Sequence, residues 1–252
     1  VCTSARVFAL GDDGSDVVRP DKCWGCGQCV AVCPTDAIDH ELFPLEACPL
    51  VDAAELPTLE QLQTALRARR SVRTYDKRPI SREVVRELVT MARSAPSARN
   101  SQELDWIALD DRARIAELSK ATVARLSQLV RWASNPITRP VLRLAAGGEA
   151  VRALIGNAAI ARHLSRRIDE GEDPIFHQAP VVLIGHATAG NPLGRDDAIY
   201  ATYNIMLTAE RHGLGTCQIG FFQIMVERTP QLARAIGVPE GRAPQVALTL
   251  GY

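Results

Sequence analysis

With 252 residues, 46% hydrophobic and 23% charged, the chain has a globular composition and room for a main body plus one small module. Lys plus Arg and Asp plus Glu both number 29, so no net charge favours nucleic acid or an anionic membrane surface, and neither is expected as a partner. The longest apolar runs, 179–185 and 246–250, are strand-length and far short of a membrane span. No signal segment opens the sequence, and Val1 stands where an initiator Met is expected, which suggests a chain truncated at its N-terminus.

Residues 1–50 are dense in Cys, Gly, Asp and Pro, and a domain this small needs metal to hold it together. Five of the seven cysteines fall between Cys2 and Cys33, ahead of a Cys-poor body. That pattern favours metal ligation in a reducing compartment, the cytoplasm, over a disulfide framework. A boundary is expected between Pro49 and Pro57, with a second domain over 58–252. There Thr58-Leu59-Glu60-Gln61 forms a capping box, and Leu62 and Leu66 share a helix face that leads into Arg67, Arg69, Arg70 and Arg73. Ser81 begins a second helix with Val85, Leu88, Val89 and Ala92 at helical spacing, ended by a turn at 94–97. A strand at 106–109 precedes a helical excursion or lid over 112–170, interrupted near 135–140 and at Gly147-Gly148. Residues 180–186 form a buried strand, 196–212 a helix closed by Gly213, and 244–252 a last strand. Helices alternating with few strands give an α+β or α/β core in three layers.

Cys23, Cys26, Cys29 and Cys33-Pro34 read C-x2-C-x2-C-x3-C-P, the bacterial ferredoxin arrangement for a 4Fe-4S cluster. Gly25 and Gly27 suit a backbone wrapped tightly around inorganic sulfide. A zinc site would more typically use two separated C-x2-C pairs. In two-cluster ferredoxins the fourth Cys of the run ligates the other cluster. The stretch from Cys2 resembles the one from Cys33, so Cys2 is expected as the last Cys of an upstream run. It would complete the cluster held by Cys23, Cys26 and Cys29, leaving Cys33 for a second one; the alternative is a single cluster on Cys23, Cys26, Cys29 and Cys33. Cys48 reads as a free thiol at the junction and Cys217 as a small buried residue.

Neither G-x-G-x-x-G nor a P-loop is present. In an extended Arg69-Arg70-Ser71-Val72-Arg73 segment, alternate residues 69, 71 and 73 would point to one side and cradle a phosphate or carboxylate. This segment, Pro96-Ser97-Ala98-Arg99-Asn100-Ser101-Gln102 and Gly213-Leu214-Gly215-Thr216-Cys217-Gln218-Ile219-Gly220 occur in the order seen in the FMN-dependent nitroreductase family. The chain resembles that family over about 58–252. Asp173-Pro174-Ile175-Phe176 is similar to its ferredoxin-fused branch.

The resemblance implies an α+β fold: a nitroreductase-like three-layer α/β/α core with a helical excursion, plus a small ferredoxin-like 4Fe-4S domain. It implies that FMN is bound by Arg69, Arg70, Ser71, Arg73, Pro96, Ser97, Asn100, Gln218, Ile219 and Gly220, with Arg69, Ser71 and Arg73 at the phosphate and ribityl or ring edge. Pro96 and Ser97 would come from the partner subunit of a homodimer. Glu103-Leu104 and Gln218 depart from the usual pattern near the flavin and its access route, so substrate preference does not transfer. The family often carries a basic residue beyond the final strand, and the end at Tyr252 suggests a second truncation. His177, His186 and His212 read as structural histidines, His40 and His163 as surface ones. The expected activity passes electrons from an external donor, a ferredoxin or a nicotinamide-dependent reductase, through the cluster or clusters to FMN. An electron-poor nitro, quinone or enone compound then receives them. The alternative is a non-catalytic electron-transfer or redox-sensing protein.

Overall fold

The computed structural model describes residues 2, 6–12, 14–48 and 50–252, which divide into two compact units. The first runs to Arg67 and also takes in Pro96–Gln102; the second comprises Ala68–Ala95 and Glu103–Tyr252. Part of the Cys2 pseudo-repeat (residues 3–5), as well as Pro49 at the expected boundary, lies outside the described residues.

In the first unit β1 (Phe8–Gly11) and β2 (Gly14–Val17) pair antiparallel, Phe8 opposite Val17. The single turn of α1 (Gln28–Ala31) follows Gly27 at φ +71°, a conformation that costs a glycine little. α2 (Leu59–Ala68) starts with the reciprocal capping box: Gln61 N–H donates to Thr58 Oγ1 at 3.2 Å, and Thr58 N–H to Gln61 Oε1 at 2.9 Å.

The second unit opens with α3 (Arg82–Ala92), where Ser81 Oγ accepts from Val84 N–H at 3.3 Å. β3 (Asp105–Leu109) leads to α4 (Arg112–Ser134), capped by Asp111, whose carboxylate accepts from Ala113 and Arg114 N–H. α5 (Arg139–Ala146), α6 (Gly148–Gly156) and α7 (Ala158–Asp169) follow, with breaks at the two expected places and a further one at Asn157. β4 (Val181–Thr188), α8 (Gly194–Arg211), β5 (Gly215–Gln218), α9 (Gly220–Glu227), α10 (Pro230–Ile236) and β6 (Arg242–Gly251) complete the chain.

The four long-range strands form one antiparallel sheet in the order β3-β4-β6-β5. Alternation along β4 sends Val182 and Ile184 into a cluster with Ile115, Leu126, Phe176 and Phe222. Val181 and Leu183 face the opposite way, to Leu88, Ile205 and Leu250. Helices therefore cover both faces, α4, α7, α9 and α10 on one and α3 and α8 on the other. Burial on both sides explains why β4 reads as a continuous apolar run. α4 is itself part of one layer, through Ile115, Leu118, Val123 and Leu126. α5 presents exposed Val141 and Leu144 instead.

Two glycines seat the segment that follows α2. A Cβ on Gly215 would lie 2.6–2.8 Å from the Cβ and both γ-carbons of Val72, and one on Gly251 would lie 2.5 Å from Tyr75 Cδ1. Val72 and Tyr75 therefore rest directly on bare backbone of β5 and β6. Ser71 forms a parallel bridge with Thr216, and Val72 N–H donates to Thr216 O at 2.9 Å. The Tyr75 hydroxyl donates to Val72 O at 2.5 Å and lies 2.7 Å from Thr249 Oγ1. Burial is the main reason its pKa is pushed up to about 12.

Candidate functional site

With Val72 and Tyr75 turned inward, the intervening Arg73 turns outward, into a cleft of about 330 Å³ in the second unit. Gln218, Ile219 and Gly220, from the end of β5 and the start of α9, form one wall. α7 contributes Ile160 and Leu164, and the loop before β4 contributes Pro174, Ile175 and His177. Among the described residues Arg73 has neither a hydrogen bond nor an ion pair, so its five donors are available to a ligand. A Cβ on Gly220 would meet nothing within 4 Å, so the backbone there is open to close approach.

The 173–178 loop is built around one carboxylate. Asp173, 7% exposed, accepts from the N–H groups of Ile175 at 3.1 Å, Phe176 at 2.9 Å and Gln178 at 3.1 Å. Phe176 is fully buried and packs edge-on against Phe222, with ring centroids 4.9 Å apart. The loop holds His177 and Gln178 at φ +59° and +58°. Left-handed backbone costs a non-glycine residue roughly 1–2 kcal/mol, and the Asp173 bonds offset it. Burial depresses the His177 pKa; the Asp173 carboxylate pulls it part of the way back, and the Arg73 and Arg167 charges add smaller downward pushes. The balance favours the neutral imidazole.

Four of the residues expected to bind cofactor therefore meet at the cleft: Arg73, Gln218, Ile219 and Gly220. Arg69, Arg70 and Ser71 precede them along the chain and do not line it; Arg70 Nη1 donates to Arg69 O at 2.9 Å. Pro96, Ser97 and Asn100 lie in the first unit. There Asn100 Nδ2 donates to Cys26 O at 3.0 Å, and Asn100 Oδ1 accepts from Gln102 Nε2 at 3.1 Å. Ser97 Oγ accepts from Gln102 N–H at 3.1 Å. Glu103 does not line the cleft; its carboxylate accepts from Thr188 N–H and Asn191 Nδ2.

His177 was legible only as a structural residue, and the structure places it on the cleft wall. The one available signal was Asp173 followed by Pro-Ile-Phe-His, a carboxylate able to cap its own turn. Its nearness to Arg73 comes from tertiary structure alone. His186 is a structural histidine as expected: it is buried, and its Nδ1 accepts from Arg242 Nε at 3.2 Å.

In the cysteine loop Gly25 and Gly27 adopt φ +63° and +71°, with Leu42 and Phe43 packed where a Cβ would project. Gly25 N–H donates to Cys23 Sγ at 3.3 Å and Ala37 N–H to Cys33 Sγ at 3.2 Å. Hydrogen bonds from Thr35 and Ala37 lower the Cys33 pKa. His40, read from sequence as a surface residue, places Nε2 3.6 Å from Cys23 Sγ. Arg99 stacks over Trp24 at 4.8 Å. Cys2 and Cys29 are half-buried, and the Cys2 carbonyl accepts from Arg6 N–H. No three His, Cys, Asp or Glu side chains converge on a single ion among the described residues. A cubane spreads its thiolates over four irons, so convergence on one point is not what it requires. The positive-φ glycines and the N–H groups aimed at sulfur fit a 4Fe-4S group.

The fold and cleft define a three-layer α+β protein with a preformed pocket at the end of an edge strand, preceded by a cysteine-rich loop. Residues 66–252 match the model of the Nitroreductase family, and residues 16–39 match that of the 4Fe-4S binding domain. The chain belongs to the nitroreductase family, whose curated relatives are oxidoreductases. It is 27% identical over 207 residues to a 4-nitrobenzoate reductase of Nocardioides sp. (strain LMS-CY), covering 78% of this chain and 82% of that one. It is 27% identical over 209 residues to a nitrobenzene nitroreductase of Ectopseudomonas oleovorans, covering 78% and 88%. A Bacteroides fragilis nitroreductase, solved with bound FMN, has the same fold, with a TM-score of 0.57 at 19% identity over 76% of this chain and 88% of that one. No helix among the described residues is long and apolar enough to cross a membrane.

Proposed function

We propose that the protein is an FMN-dependent reductase whose 4Fe-4S module accepts electrons from an external donor, a ferredoxin or a nicotinamide-dependent reductase, for reduction of an electron-poor nitro, quinone or enone compound. The observation that carries this reading is the cleft itself, where the unpaired guanidinium of Arg73 faces the open backbone at Gly220. When bound, FMN supplies hydride or two-electron chemistry and the cluster supplies single electrons.

The chain's own residues bind and shape. Arg73 offers charge-assisted donors to an anionic or electron-rich edge. Ile160, Leu164, Ile175 and Phe221 provide apolar walls suited to a planar ring, and Ile219 with Gly220 brings backbone close to it. Arg69, Arg70 and Ser71, on the segment leading to Arg73, are the residues we assign to the phosphate. Cys23, Cys26 and Cys29 hold the cluster, with Cys2 or Cys33 as the fourth ligand. We take residues 1–50 as the ferredoxin-like sequence, to whose compact unit Pro96–Gln102 also belongs, and 58–252 as the flavin-domain sequence of a cytoplasmic homodimer. The names of the two curated relatives support a nitroaromatic acceptor.

Anaerobically purified protein should contain iron and FMN, and with dithionite as donor it should turn over at least one acceptor from a panel of nitroaromatics, quinones and enones. Zinc in place of iron would sink the N-terminal assignment. Turnover of no acceptor by flavin-loaded protein would sink the enzymatic one.

A further inference from the structure

The second unit presents a half-buried imidazole with no partner. His177 lines the cleft with Arg73, Gln218 and Gly220, and among the described residues its ring makes no hydrogen bond or ion pair. His186 shows what a satisfied histidine looks like here, its Nδ1 bonded to Arg242 Nε at 3.2 Å. The ring of His177 faces the cleft, so its nitrogens, without a protein partner among the described residues, are free to meet a ligand there.

The loop is organised to aim this one side chain. Three N–H groups converge on the Asp173 carboxylate, His177 N–H donates to Asp173 O at 3.1 Å, and buried Phe176 anchors the loop against Phe222. His177 and Gln178 are both left-handed without being glycine. Strain held by such over-determined surroundings marks a functional position.

The chemistry of the walls narrows the ligand. Arg73 can only donate, whereas a neutral imidazole donates from one nitrogen and accepts at the other, and Gln218 does both. Among the described residues no carboxylate lines the cleft, and Ile160, Leu164, Ile175, Ile219 and Phe221 make much of it apolar. This set fits a planar heteroaromatic ring whose polar edge alternates carbonyl and N–H groups. We infer that His177 is a cofactor-binding residue, hydrogen-bonding the polar edge of the isoalloxazine in the cleft alongside Arg73. The inference rests on the FMN reading above and adds a contact that lies outside the three sequence motifs carrying it.

The test is the dissociation constant of FMN and the midpoint potential of the bound flavin, measured on holoprotein with its iron intact. His177→Gly suits the left-handed backbone and so removes the ring without adding strain. It should weaken FMN roughly tenfold, as expected for one lost hydrogen bond in a desolvated site, and shift the potential. His177→Gln, which restores a donor and an acceptor, should recover most of both. Exposed His163→Asn on α7 should change neither. Wild-type affinity and potential in folded His177→Gly would overturn this inference and leave the proposed function standing. If His177→Gly fails to fold, His177→Ala, which also removes the ring, takes its place: weakened FMN and a shifted potential support the contact, and wild-type values in both readouts overturn it. Wild-type protein that binds no FMN would overturn the proposed function, and this inference with it.

Discussion

Gly215→Ala tests whether the seat under Val72 sets the aim of Arg73. The new methyl would sit 2.6, 2.7 and 2.8 Å from three carbons of Val72, where ordinary contacts need 3.4–4 Å. Relief therefore requires the 71–73 segment to lift by about an ångström, a strain of the kind that costs about 1–3 kcal/mol in a packed site. Lifting also stretches the 2.9 Å bond from Val72 N–H to Thr216 O, worth about 1 kcal/mol. Arg73 would move with the segment, so FMN affinity should fall by about tenfold or more, since charge-assisted bonds lose strength quickly with misalignment. Urea unfolding measures the first effect and flavin titration the second. Trimming Val72 to alanine is insufficient, because its Cβ is itself one of the clashing atoms. Val72→Gly in the Gly215→Ala background removes all three, and should restore flavin affinity more fully than stability. Unchanged stability and affinity in Gly215→Ala would refute the reasoning, as would a double variant no better than the single one.

Tyr75, with its pKa pushed up to about 12, should give the protein an alkaline limit. The folded value lies above the ordinary tyrosine value of about 10, so the fold favours the neutral phenol. That stabilisation is fully present below pH of about 10 and is lost as pH rises through about 12. Tyr75→Phe should flatten this part of the stability profile, and an identical loss in both proteins would contradict the assignment. Cys26→Ser should abolish most of the bound iron while flavin content stays at the wild-type level; full iron retention would remove Cys26 from the ligand set.

The elements legible in the sequence are those specified by local chemistry. Thr58 and Gln61 form their reciprocal cap, Ser81 caps α3, Gly213 follows α8 at φ +69°, and the run from Val181 is a strand buried on both faces. β5 was visible only as the Gly-Leu-Gly-Thr-Cys motif, because four residues at a sheet edge carry too little alternation to read as a strand. The β1–β2 hairpin was missed for a related reason: its side chains are largely exposed, so no apolar face repeats. The antiparallel order of the sheet depends on pairings between distant segments such as Val181 with Leu250. At the cleft, sequence supplied Arg73 and the 218–220 backbone. His177 was out of reach because its meaning depends on which residues surround it once the loop is closed.

The bond from Asn100 Nδ2 to Cys26 O joins positions 74 residues apart in the chain yet lies within one compact unit. The unit that contains the cysteine loop is therefore not a contiguous stretch of sequence, and a cut near residue 57 would not release it whole. A recombinant piece ending there would lack the Asn100 amide on the Cys26 carbonyl and the Arg99 guanidinium over Trp24. Grafting this module onto another protein accordingly means carrying two separate stretches of chain, the second of them only seven residues long.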